Sequence, residues 1–101
     1  MAKTCSINRN LKRIKLVKKY AGKRDALKKV ISNKNSTPVE IQEAQHKLNK
    51  LPRNSSPVRI HNRCELTGRS HGTYRKTKLS RIKMRELALE GQVPGMTKSS
   101  W

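Results

Sequence analysis

Cys64, Thr67, Ser80 and Lys83 stand at the spacing C-x2-T-x12-S-x2-K. With cysteine at the last three positions this would be a zinc-ribbon frame, two short Cys-x2-Cys knuckles about a dozen residues apart. Only one thiol is present. Thr and Ser hydroxyls are poor zinc ligands, and the Lys83 ammonium repels a cation. His61 and His71 flank Cys64, but three ligands within one cationic loop make a poor site. No metal and no other cofactor is therefore expected. A second group can do a different chemistry: Arg53, Arg59 and Arg63 alternate with Asn54, Ser55, Ser56, His61 and Asn62. Guanidinium forks, amides and hydroxyls in that density suit phosphates, 2′-hydroxyls and unpaired bases. Three histidines and six scattered acids form no nucleophile–base arrangement, so neither an enzyme nor a small-molecule substrate is indicated.

The composition points the same way. The 101 residues include 25 Lys or Arg against 6 Asp or Glu, a formal charge of +19. Leu, Ile and Val total 20, Phe is absent, and Trp and Tyr supply three rings. An apolar fraction this low with a charge this high is typical of chains disordered in isolation. Like charges repel in any compact state, so a polyanionic partner is required. Apolar runs extend over two or three residues, far short of a membrane span, and the Met-Ala-Lys-Thr-Cys-Ser start lacks the apolar run of a secretory signal. No membrane partner is expected. Cys5 and Cys64 lie far apart and read as free thiols of a reducing compartment.

The charge lies in two blocks. Residues 1–35 hold twelve basic residues against Asp25; residues 36–51 are neutral; residues 52–85 hold ten against Glu65. In the first block Ile7, Leu11, Ile14, Val17 and Tyr20, then Leu27, Val30 and Ile31, recur at helical steps. Lys12, Arg13, Lys15, Lys19 and Arg24 occupy other faces and are candidate nucleic-acid contacts. Gly22 is expected to kink or break this helix. Like-charge neighbours such as Lys15 and Lys19 weaken it in water, and phosphates between them would reverse the sign. Thr37-Pro38-Val39-Glu40 reads as a capping box opening a second helix, with Ile41, Ala44, Leu48 and Leu51 on one face and Pro52 as its stop. The two helices are expected to form an antiparallel hairpin, the neutral one more suited to protein contact.

Residues 52–63, with two prolines and no sustained period, are expected to be extended. A glycine-punctuated turn region over 64–76 follows, then a short helix from about Ser80 to Glu90, stopped by Gly91. The domains are accordingly drawn at 1–51 and 52–101. The fold class is mainly α: an extended N-terminal helix and hairpin, an arginine-rich extended linker, and a degenerate zinc-ribbon-like knuckle with a short helix. Candidate contacts in the second block are Arg53, Asn54, Ser55, Arg59, Arg63, Arg69, His71, Arg75, Lys76, Arg81 and Arg85. Trp101 offers a stacking surface for a base or a plug for a protein neighbour.

Leu51-Pro52-Arg53-Asn54-Ser55-Ser56-Pro57, Asn62-Arg63-Cys64, Thr67-Gly68-Arg69, Arg75-Lys76, Leu79-Ser80-Arg81-Ile82, Arg85-Glu86-Leu87-Ala88, Val93-Pro94-Gly95 and the ending Lys98-Ser99-Ser100-Trp101 occur in order. With that order the sequence resembles the small-subunit ribosomal protein fourteen family in its longer, zinc-free form. Two departures stand out: Ser70 replaces the usual Pro before His71, and Thr77 replaces an aromatic after Arg-Lys. The resemblance implies a constituent of the small ribosomal subunit that binds small-subunit ribosomal RNA in the head near the aminoacyl-tRNA site. It also implies support of assembly and translation, contact with neighbouring head proteins, and a place on a ribosome of bacterial cytoplasm, mitochondrion or plastid. The alternative from charge alone is a non-specific DNA-compacting chromosomal protein. Against it, arginine outnumbers lysine after residue 52, which simple charge neutralisation does not require.

Overall fold

The computed structural model describes residues 2–99 and is mainly helical; Trp101 lies outside the described residues. Helix α1 spans Thr4–Ser32, α2 spans Pro38–Lys50 and α3 spans Arg81–Leu89. Two single-turn 3-10 helices, Arg53–Ser55 and Pro57–Arg59, stand between α2 and the C-terminal half. By their internal contacts the residues form two compact units, Arg9–Ile60 and Met1–Asn8 with His61–Trp101.

Helix α1 runs unbroken for 29 residues, so Gly22 does not end it. A lone glycine costs a helix about 1 kcal/mol; Ala21, Lys23, Arg24, Ala26 and Leu27 around it are good helix formers and outweigh that. The apolar stripe is only partly covered: Leu11 is 51% exposed and Val30 38%. The start of α2 is set by residues three apart. Thr37 Oγ1 accepts from Glu40 N at 3.4 Å, Glu40 Oε2 accepts from Thr37 N at 3.1 Å, and Pro38 occupies the first turn. α2 and the 3-10 turn after it come back alongside α1, because Arg24 Nη1 donates to Ser55 Oγ at 3.0 Å. The expected hairpin is therefore present.

The stretch after α2 differs from the extended linker expected of it. Ser55 N donates to Pro52 O at 3.0 Å and Ile60 N to Pro57 O at 3.3 Å. Each proline fixes a backbone that then turns once, and the Ser55 side chain goes inward. These bonds keep residues 52–60 with the helical unit, which runs to Ile60.

The second unit is built from turns. Cys64 N donates to Arg69 O at 2.9 Å and Gly68 N to Cys64 O at 2.8 Å, closing a tight loop. Gly68 has φ +76, and a Cβ there would lie 2.6 Å from Ile7 Cδ1. Only glycine allows both that backbone and that approach. Thr73 and Ser80 form an antiparallel bridge, and Lys78, with φ 56, closes the turn between them through Lys78 N to Tyr74 O at 2.8 Å. Ser80 Oγ then caps α3 by accepting from Lys83 N. At the other end Gly91 N reaches Ala88 O and Gln92 N reaches Leu87 O, the paired bonds of a Schellman stop with glycine at φ +75.

Among the described residues the buried apolar side chains are Ala44 and Cys64, beside buried Asn10, Ser55 and Ser80. The interior is thus as polar as it is apolar. Two glycine variants should move stability in opposite directions. Gly22→Ala, with nothing within 4 Å of the new Cβ, should gain about 1 kcal/mol, raising the thermal midpoint followed by circular dichroism. Gly68→Ala should lose at least 1–2 kcal/mol from its left-handed backbone, roughly as single-residue strain of this kind costs.

Candidate nucleic-acid interface

The four positions of the knuckle spacing converge on one sulfur. Burial by itself pushes the Cys64 thiol up. Against it, the Thr67 hydroxyl and the backbone N–H groups of Ser80, Thr67 and Leu66 donate to the sulfur, and the balance lowers it from 9.0 to about 6. The residue is 3% exposed. Hydrogen bonds to the charged form favour it, and here donors come from the turn after Cys64 and from the N-terminus of α3. Lys83 completes the set. Its ammonium is held up from its ordinary value first by the hydrogen bond to Glu86, and also by attraction to Cys64; the Lys83–Glu86 distance is 2.8 Å. One sulfur thus ties two turns together. No group of three or more His, Cys, Asp or Glu able to hold a metal occurs among the described residues.

The arginines divide by what their guanidinium groups already hold. Arg24 and Arg63 are half-buried, with Arg24 bonded to Ser55 and Arg63 Nη1 donating to Gly68 O at 2.9 Å. Their Nε atoms are buried. Arg69 Nε donates to His71 O at 3.1 Å. These three brace the chain itself. Arg53, Arg75, Lys76, Arg81 and Arg85 are exposed, as is His71; Arg13, Asn54 and Arg59 are half-buried. Ser55 is 0% exposed and its hydroxyl donates to Pro52 O, so it cannot present that hydroxyl to a ligand.

On α1, Lys12, Lys15 and Lys19 are exposed at three- and four-residue steps, which aligns them along one side. Lys19 and Lys23 lie over the Tyr20 ring at 5.5 and 5.7 Å from its centroid, a cation–π arrangement that holds two positive charges on one stem. In the second unit a cavity of about 360 Å3 brings Arg69 and His71 together with Lys83 and Ser80. A larger groove gathers Arg81 and Arg85 with Tyr74 and Lys98. Lys83, Tyr74 and Lys98 were not singled out as contacts by sequence reasoning. The signal for Lys83 was present, since it lies three residues after a helix cap; Tyr74 and Lys98 meet only through the return of the tail.

Residues 47–100 match the family described as ribosomal protein S14p/S29e. Over all 101 residues the chain is 57% identical to a protein of Cereibacter sphaeroides named small ribosomal subunit protein uS14, covering 100% of both chains. It is 54% identical, again over 100% of both, to proteins of the same name from Pelagibacter ubique and Xanthomonas campestris pv. campestris.

Because the thiol titrates lower in the folded chain than in the unfolded one, its contribution to stability is present at high pH and lost as pH falls through about 6. Urea unfolding midpoints should therefore rise from pH 6 to pH 9. In Cys64→Ser that rise should flatten, the deficit being largest at pH 9. Parallel pH profiles for the two chains would remove the anionic sulfur from the account.

Proposed function

The chain belongs to the ribosomal protein S14p/S29e family, and from that premise we propose that its exposed cations bind small-subunit ribosomal RNA. It is a structural constituent of the ribosome, in a family that is not one of enzymes. The observation that carries the reading is identity across the full chain, which takes in both cationic units.

The mechanism follows from the division among the basic residues. Lys12, Lys15 and Lys19 form a row of ammonium groups on a rigid helix, able to follow a phosphate backbone. Arg53 and Arg59 project from single-turn helices fixed by Pro52 and Pro57, and Arg75, Lys76, Arg81 and Arg85 from the turn module. Arginine forks on prolyl and glycyl turns read the shape of folded RNA and its splayed bases, not a groove code. Arg24, Arg63 and Arg69 hold the scaffold that aims them. Exposed, uncharged Val39 on α2 (64% exposed) suits contact with a neighbouring small-subunit protein. By family likeness the site of action is the subunit head near the aminoacyl-tRNA site, during assembly and translation, on a ribosome of bacterial type. Among the described residues no helix is long and apolar enough to cross a membrane.

Neutralised phosphates release counterions, so affinity for a small-subunit RNA fragment should fall steeply between 50 and 200 mM salt, as expected for roughly six or more contacts. Arg53→Ala and Arg85→Ala should each lower the slope of log affinity against log salt by about one. Duplex DNA of equal length should compete weakly. Affinity indifferent to salt would contradict the electrostatic mechanism, and equal competition by DNA would favour the chromosomal alternative.

A further inference from the structure

One face of α3 borders a groove of about 770 Å3 whose lining includes Tyr74, Met84 and Met96 together with Arg81, Arg85 and Lys98. Among the described residues no acidic side chain lines it. Tyr74 is 52% exposed and Met96 49%, so the groove has an open ring and an open thioether beside three cations. Such a lining suits a ligand with a flat, polarizable face and an attached negative charge. We propose that the groove seats one unpaired nucleotide of the bound RNA, its base stacked on Tyr74 and its phosphate held by Arg81 and Arg85. The inference rests on the RNA-binding reading and sharpens it to a particular contact.

Three features prepare the groove for that occupant. Tyr74 is fixed on both sides of its peptide, by Tyr74 N to Leu79 O at 2.9 Å and by Lys78 N to Tyr74 O at 2.8 Å. Its ring is therefore presented on a closed turn and loses little freedom on stacking. Arg81 N donates to Gly72 O at 2.8 Å, and the Arg81 stem passes within 3.4 Å of where a Gly72 Cβ would stand, so its fork starts from a held position. Arg85 follows one helical turn later, giving two forks on one side of α3. Arg75 and Lys76, both exposed, continue directly from Tyr74 and can meet the phosphates flanking a splayed base. An acidic amphipathic peptide would also satisfy the charges. A half-exposed ring in a groove that methionines also line favours a π-face over aliphatic knobs, because aromatic stacking and sulfur–aromatic contact reward flat ligands.

The test uses the full chain and two single-stranded probes of equal length and charge, an oligoadenylate and its abasic ribose-phosphate counterpart. The parent should prefer the oligoadenylate by about tenfold, the order expected for one stacked base. Tyr74→Leu should reduce that preference to near unity without changing affinity for the abasic probe, while Tyr74→Phe should retain it. Preserved preference in Tyr74→Leu, with circular dichroism unchanged, overturns the assignment. So does loss of affinity for an acidic amphipathic peptide in Tyr74→Leu with the oligoadenylate preference intact, which would make the groove a protein site. Failure of the parent to bind either oligonucleotide at low salt would instead overturn the RNA-binding reading beneath it.

Discussion

Repulsion among uncompensated lysines and arginines is the constraint under which every other part of this chain forms. Twenty-five basic residues face six acids, and ion pairs such as Lys83–Glu86 at 2.8 Å and Lys78–Glu65 at 4.0 Å offset little of that excess. Both are largely exposed, and exposed pairs contribute little. An ordinary domain would offset repulsion with buried hydrocarbon, at about 1.5–3 kcal/mol for each large apolar side chain. Here the buried apolar residues are Ala44 and Cys64. The interior is instead joined by individual hydrogen bonds, each contributing about 1 kcal/mol net. A sum of that kind is small, and on the proposed RNA-binding reading phosphate supplies the counter-charge.

Seen this way, Cys64 is the most economical stabiliser available. A neutral side chain at its position would gather donors from two turns around a weak acceptor. The sulfur gathers the Thr67 hydroxyl and three backbone N–H groups, and these donors favour its charged form within the most arginine-rich part of the chain. Lys83 attends it without cancelling it, being shared with Glu86. The C-x2-T-x12-S-x2-K spacing thus gathers its four positions around one sulfur. Gly68 against Ile7 adds a close-packed joint that no larger residue would permit.

What could be read from the sequence follows from how local each interaction is. The capping box of Thr37 and Glu40, the Ser80 cap and the Gly91 stop each involve residues within a few positions of one another, and the pattern carries them directly. The mainly helical class and the hairpin follow from those ends and from the periodic stripe. Ser55 was not legible: its burial depends on Arg24, thirty-one residues away, and on two prolines turning the chain instead of extending it. Gly22 was misleading because a single unfavourable residue was weighed without its favourable neighbours. The arginines looked alike in sequence, yet Arg24, Arg63 and Arg69 are internal braces while Arg53, Arg75, Arg81 and Arg85 face outward. Only the positions of distant acceptors, such as Gly68 O, separate the two groups. The groove around Tyr74 depends on the tail returning to α3, which no short-range pattern encodes.

Amide hydrogen exchange along α1, free and bound to a small-subunit RNA fragment, tests the dependence on counter-charge most directly. The account predicts weak protection over residues 9–32 in the free chain at low salt, where Lys12, Lys15, Lys19 and their neighbours repel, and strong protection over the same residues once RNA is bound. Equal, strong protection in both states would show that α1 is stable without phosphate, and would contradict the claim that the partner's charge completes this fold.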